Sequence, residues 1–231
     1  TYVSWNWKAG GTPSINTDGS ITSIVSANQA AGFSVVKYTG IGSTASVGHG
    51  LGVAPKLIIA KCLDITSSWV VYSETTGINK FLALNDSAAS YTASGYWGSS
   101  APTTSVFEVN NGNSNNNSTG NNIIAYCFAD ISGYSKVGSY TGTGVAGEAG
   151  SLVVTGFQPQ FVVVKRIDAA NSWVVSSTPL GYNDLYFNNS DAEFASGSLY
   201  GAHYTNTGFY FNTTDQSRNI SGGQYIYLAI A

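Results

Sequence analysis

The octapeptide SSWVVYSE at Ser67–Glu74 returns, almost letter for letter, as NSWVVSST at Asn171–Thr178. The flanking residues rule out coincidence. APKLIIAKCLDITSSWVVYS, from Ala54, stands against QPQFVVVKRIDAANSWVVSS, from Gln158. Pro55 falls on Pro159, Lys61 on Lys165, Asp64 on Asp168 and Trp69 on Trp173, with no gap. Further out, GFSVVKYTG from Gly32 answers GYSKVGSYTG from Gly133, and LALND at Leu82 answers LYFNN at Leu185. VFEVN at Val106 answers FYFN at Phe209, and NNIIAYCFA answers GQYIYLAIA. Motif order is kept over about a hundred residues, which marks a duplicated domain rather than a short solenoid period. The expected organisation is an arm over 1–31, one repeat over 32–131 and a second over 132–231.

Composition narrows the class. Only 9% of the 231 residues are charged, against about 25% in ordinary soluble proteins. The hydrophobic fraction is an unremarkable 43%, so Ser, Thr, Asn and Gly must cover the surface. A surface of this kind casts weak long-range fields. With a net charge of −3 and no basic run, nucleic acid is excluded as a partner. No apolar run approaches the 18 or so residues of a membrane span, so membrane insertion is not expected. The chain starts at Thr1 and contains no Met, which reads as a processed product or an excised piece.

Strand signals fill both copies. KLIIAKCL and FVVVKRI are continuous apolar runs of the inner-strand type. SWVVYS, VFEVN, GFYFN and YIYLAIA are short, aromatic and β-branched, with turn residues between them. SANQAAG has room for one helical turn and no more. The pattern predicts an all-β protein of two tandem antiparallel β-sandwiches or jelly rolls, with an extended N-terminal arm. Trp5 and Trp7 sit two apart and share one side of that arm, which is expected to pack on the first sandwich or on a neighbouring subunit. Trp69 and Trp173 are the expected core anchors, each burying on the order of 200 Å². Pro55 and Pro159 open the inner strands that lead to them.

Catalytic candidates are few. His49 and His203 occupy non-equivalent places, with His49 aligning on Val153. No His, Cys or Asp cluster has metal-ligand spacing, so no metal and no cofactor is expected. Asp64 and Asp168, equivalent across the repeat, are expected to shape the turn after the inner strand. Asp191 and Glu193 are a close acidic pair, read as loop charges rather than the converging carboxylates of a glycosidase. TGTGVAG and GIGS lack the following helix that a phosphate loop needs. Cys62 and Cys127 lie in apolar runs of the first copy, opposite Arg166 and Ala229. Two buried thiols, or one bridge within the first copy, are both open. NNGNSNNNSTGNN from Asn110 is expected to be a long exposed loop.

Aromatic rings in polar surroundings are the remaining candidates. Tyr91, Tyr96 and Trp97 follow one strand of the first copy, and Tyr200, His203 and Tyr204 follow its counterpart in the second. Exposed, they would suit sugar stacking; the alternative is packing under their own loops.

The strings YVSWNWKAGG, GFSVVKYTGIG, VGHGLGVAPKLIIAK, WVVY and NIIAYCFADISGYSKVGSYTG resemble a two-repeat β domain of structural, tail-fibre-like proteins of marine bacteriophages and cyanophages. The resemblance implies a non-enzymatic virion protein, with no catalytic residue to carry over. It implies a tail fibre or tail-tip module at the virion surface that recognises a host glycan or protein. It further implies contacts with other virion proteins and a homo-oligomer, a trimer being expected. A capsid fibre or spacer without ligand, and a polysaccharide-degrading tail spike, are the alternatives.

Overall fold

The computed structural model describes residues 4, 6–110, 114–193 and 199–231. Trp5 therefore lies outside the described residues. The first part of the chain forms β1 (Ser14–Asn16), β2 (Ser23–Asn28), β3 (Phe33–Thr39), β4 (Ala45–Gly48) and β5 (Leu57–Cys62). It continues with β6 (Val70–Ser73), β7 (Lys80–Ala83), β8 (Tyr91–Thr92), β9 (Val106–Val109) and β10 (Asn122–Phe128). The rest forms β11 (Ser135–Thr141), the single-turn helix α1 (Glu148–Ser151), β12 (Val153–Val154), β13 (Phe161–Arg166) and β14 (Val174–Ser177). Last come β15 (Asp184–Tyr186), β16 (Ala202–Thr205), β17 (Gly208–Phe211) and β18 (Gln224–Ile230). The protein is all-β, and every strand pair in its sheets is antiparallel. SANQAAG makes one 3-10 turn, Gln29–Ala31, with the Asn28 side chain accepting from the Ala31 N–H.

Four sheets stack in four layers. A large sheet of order β1-β2-β3-β10-β5-β6-β7-β8 carries the small sheet β4-β9 on one face. A second large sheet, β11-β18-β13-β14-β15, carries β12-β17-β16. The two large sheets then pack on each other through their other faces. That is why KLIIAKCL and FVVVKRI are apolar throughout: both faces of β5 and β13 are covered. The order β3-β10-β5-β6-β7 matches β11-β18-β13-β14-β15 strand for strand. β6 and β14, the strands of the opening octapeptides, are buried at every position.

Three expectations need correction. The first thirty residues are not only an arm, because β1 and β2 extend the first sheet beyond β3. Trp7 is not confined to the first sandwich; it sits between the two large sheets. NNGNSNNNSTGNN is not simply exposed either. Residues 111–113 lie outside the described residues, but Asn116 and Asn117 are fully buried: the Asn117 amide replaces missing strand partners in the turn after β3, and the Asn116 carbonyl accepts from Tyr38. The cysteines are free. Cys62 pairs with Ile123 in register and Cys127 with Ile58. Four residues of strand, about 13 Å at 3.3 Å each, separate them, so the bridge is excluded.

Candidate functional site

Sheet register sets two apolar rows face to face. On the first large sheet the row runs Val35, Tyr126, Ile59, Val71 and Leu82. On the second it runs Val137, Leu228, Val163, Val175 and Leu185. Val71, Leu82 and Val175 are fully buried, so the layers close toward β6 and β7. Val35, Tyr126 and Ile59 are only half-buried, so the layers part toward β3 and β10. A cleft of about 430 Å³ remains there, within the ordinary small-ligand range of about 300–1,000 Å³.

Rings dominate its lining. Phe33, Tyr126 and Trp69 form a nearly parallel row: Phe33 and Tyr126 lie 6.5 Å apart at 8°, Tyr126 and Trp69 6.4 Å apart at 20°. Trp7 stands at the junction of the layers, edge-on to Phe128 at 6.0 Å and to Phe161 at 5.3 Å. Among the described residues no charged side chain lines the cleft, and Asn6 supplies its one amide. Trp69 and Tyr126 are both half-buried, so part of each ring is open to solvent. The chemistry on offer is ring stacking with a few short hydrogen bonds, and no field to attract charge.

The rings singled out from sequence lie elsewhere, and most are packing. Trp97 is 2% exposed and meets Tyr72 edge-on at 5.8 Å. Tyr96, also buried, stacks on Phe81 at 4.0 Å and receives a hydrogen bond from the Asn115 amide. Tyr91 is exposed, stacked on Phe81 at 4.9 Å and donating to Asp86 at 2.8 Å. His203 and Tyr204 are not loop residues at all; they belong to β16. His203 is buried between Tyr182 at 4.3 Å and Tyr210 at 4.9 Å. Burial pushes the Tyr204 phenol well above its ordinary range. Tyr200 lies 5.3 Å under the Arg218 guanidinium. Short polar connections hid this from the sequence, because alternation is hard to see in strands of two to four residues.

The tryptophan pair splits. Trp173 is 3% exposed, its indole N–H donating to the Ala83 carbonyl at 2.9 Å across the layers. Both rings line the cleft, but Trp69 is only half-buried and is not a core residue. The two positions face each other's sheets, but the first sheet seals over Trp173 while the second leaves Trp69 half-open. Pro55 and Pro159 are both buried. Tyr126, Phe33 and Trp7 were the residues missed. Their signal was present: an inner strand apolar on both faces demands a second covering layer.

Other polar groups are structural. His49 is fully buried; its Nδ1 accepts from the Leu51 N–H at 3.2 Å, so Nε2 bears the proton and donates to the Thr103 carbonyl at 3.1 Å. Burial lowers its pKa. Register pairs Val47 with Phe107 and Val153 with Phe209. His49 thus corresponds to Thr155, not Val153, and the Thr155 hydroxyl likewise bonds to backbone two residues on, at Phe157. Asp64 receives the Asn122 N–H at 2.6 Å and Asp168 the Gln224 N–H at 3.2 Å, each fastening the loop after an inner strand. Asp191 and Glu193 bond separately, to Asn189 and Asn183. Asp184 and Arg218 form a buried ion pair that the partly exposed Asp215 extends, with Ser176 donating to Asp184. Arg218 is 2% exposed, which shields it from any solution ligand. Among the described residues no group of three or more His, Cys, Asp or Glu is placed to hold a metal ion, and no helix is long and apolar enough to cross a membrane.

No curated protein and no solved structure matches the chain. A family model does, over residues 1–231, and the chain belongs to the family described as Domain of unknown function (DUF7483).

Proposed function

We propose that the protein is a non-enzymatic structural module of a phage virion, carried on a tail fibre or tail tip, that recognises the host cell surface through the cleft between its large sheets. The phage reading is supported by the resemblance of YVSWNWKAGG, GHGLGVAPK and NIIAYCFADISGYSKVGSYTG to tail-fibre-like proteins. The single observation that carries recognition is the row Phe33–Tyr126–Trp69, three near-parallel rings opening on an uncharged cleft. A neutral glycan offers apolar C–H faces to such rings and hydroxyls to the Asn6, Trp69 and Tyr126 edges.

The test is adsorption of the whole chain to host cells at low and high salt, comparing wild type with Trp69→Ala and Tyr126→Ala. Stacking is worth about 1 kcal/mol per ring beyond its area, so each variant is expected to bind at least about fivefold more weakly. Salt should change neither result. Unchanged adsorption by folded variants would overturn recognition at the cleft and favour a spacer without ligand. Shortened host polysaccharide after incubation would overturn the non-enzymatic reading.

A further inference from the structure

The two large sheets differ at one edge. In the first, the outer side of β3 is covered: β2 pairs with it, Ser26 opposite Val35 and Ile24 opposite Lys37. The matching strand of the second sheet is β11, and it is the end strand. The cause is the chain path. β2 and β3 are consecutive and fold as a hairpin within one sheet. β10 and β11 are also consecutive, but β10 stays in the first sheet while β11 crosses to the second, so nothing folds back on β11.

Which groups this leaves open follows from the register. The Ala231 N–H donates to Tyr134, and Gly142 exchanges with the Gly222–Gly223 backbone, so the even-numbered residues of β11 face β18. The odd ones face outward. The outward Val137 N–H is closed by the Asp130 carboxylate at 2.8 Å. Beyond it, no hydrogen bond from the described residues reaches the backbone of Ser139 or Thr141 on this side, and both residues are exposed. Natural edges are commonly guarded by Lys. β11 has one Lys, Lys136, and it is held by Asp130 at 2.9 Å at the start of the strand; farther along, where the covered strand carries Lys37, the open one carries Ser139.

We infer that β11 is an interaction edge at which a second copy of this chain adds its own β11, antiparallel about a two-fold axis through Tyr140. This does not depend on the host-recognition reading. Strand addition draws its affinity from main-chain hydrogen bonds. In that register Ser139 faces the partner's Thr141 and Thr141 faces the partner's Ser139. Each is an outward, hydrogen-bonding pair that exchanges both of its N–H···O bonds. The open stretch, residues 139–141, is its own complement and uncharged, which is what a two-fold contact requires. The symmetry is two-fold, not the threefold that the resemblance implies.

Sedimentation of the whole chain over a concentration series tests this. Wild type should dimerise reversibly. Ser139→Lys/Thr141→Lys sets Lys directly opposite Lys at both pairs and should weaken the dimer by at least about tenfold, with an unchanged melting temperature because both side chains are exposed. Mixing it with Ser139→Glu/Thr141→Glu should restore a heterodimer, since each Lys then faces a Glu. A wild type that stays monomeric to about 1 mM, a dimer untouched by the Lys pair, or a mixture that fails to associate would each overturn the assignment. The mixing arm keeps the test decisive even if one variant loses stability, because only the β11 register predicts rescue by opposite charge.

Discussion

Trp69 and Trp173 hold the same place in two nearly identical octapeptides and both border the cleft, yet one ring is half-open and the other is sealed, its N–H bonded across the layers. Side-chain direction follows from strand alternation, whereas covering depends on what another layer brings. Their energetic roles should separate accordingly. Trp173→Ala empties a sealed position and removes the shorter of two hydrogen bonds to the Ala83 carbonyl, so it should cost about 3–5 kcal/mol. Trp69→Ala vacates a half-open one and should cost about 1–2 kcal/mol. Urea denaturation of both variants checks the order, and equal losses would show the cleft to be closed in solution. The cysteines teach the same lesson in reverse. Burial pushes the Cys127 thiol up to about 12, so it is an inert packing group.

At the scale of elements, the short motif Tyr-Thr-Gly-x-Gly ends both β3 and β11, and its use is the same twice. Tyr38 donates to the Asn116 carbonyl and Tyr140 to the Arg218 carbonyl, each at 2.6 Å. Gly40 and Gly142 pass so close to the opposite backbone that a Cβ would lie 2.3 Å from the Ser118 carbonyl oxygen and 2.2 Å from that of Ile220. Beside each glycine a buried amide stands in for missing ladder partners. Asn117 accepts from the Ile41 N–H and donates to Ser43 and Asn110; Asn219 accepts from the Thr143 N–H and donates to Val145 and Thr213. Removing either amide strands buried backbone groups at about 1–3 kcal/mol. Asn117→Ala and Asn219→Ala should therefore each lose on the order of 3 kcal/mol in chemical denaturation. A loss below about 0.5 kcal/mol, the usual size for a surface change, would contradict the role. A helix does follow TGTGVAG, contrary to expectation, but α1 is a single turn, and the glycines of this segment and of GIGS serve as turn anchors.

At the scale of the molecule, the halves are joined by more than apolar contact. Lys165 is fully buried, and its ammonium donates to the carbonyls of Arg166, Asn171 and, across the layers, Ser87. Ser90 donates to Ile167 and the Asn171 N–H to Ser87 along the same seam. Burial pulls the Lys165 pKa down to about 8, with Asp86 and Asp168 opposing that shift and Arg166 adding to it. Between about pH 8 and the unfolded value near 10.4, the unfolded chain then holds a proton that the folded one has released. Stability should rise with pH across that window. Calorimetry from pH 8 to 10 should show the rise in wild type and its loss in Lys165→Met; a flat profile in both would remove Lys165 from the seam.

By itself the sequence determined that the long apolar and aromatic segments of both copies become strands, that the two inner strands are apolar on both faces, and where the long motifs repeat. Those features depend on local alternation, on β-branched and aromatic composition, and on glycine where backbones touch, and all three are written along the chain. Only the tertiary structure decided that the two large sheets meet, that they part on the β3–β10 side, and that Phe33, Tyr126 and Trp69 align there. The same holds for the burial of Trp97, Tyr96 and His203 and for the bare edge of β11. Covering is a relation between layers, and a one-residue pattern records which way a side chain points without recording what arrives opposite it.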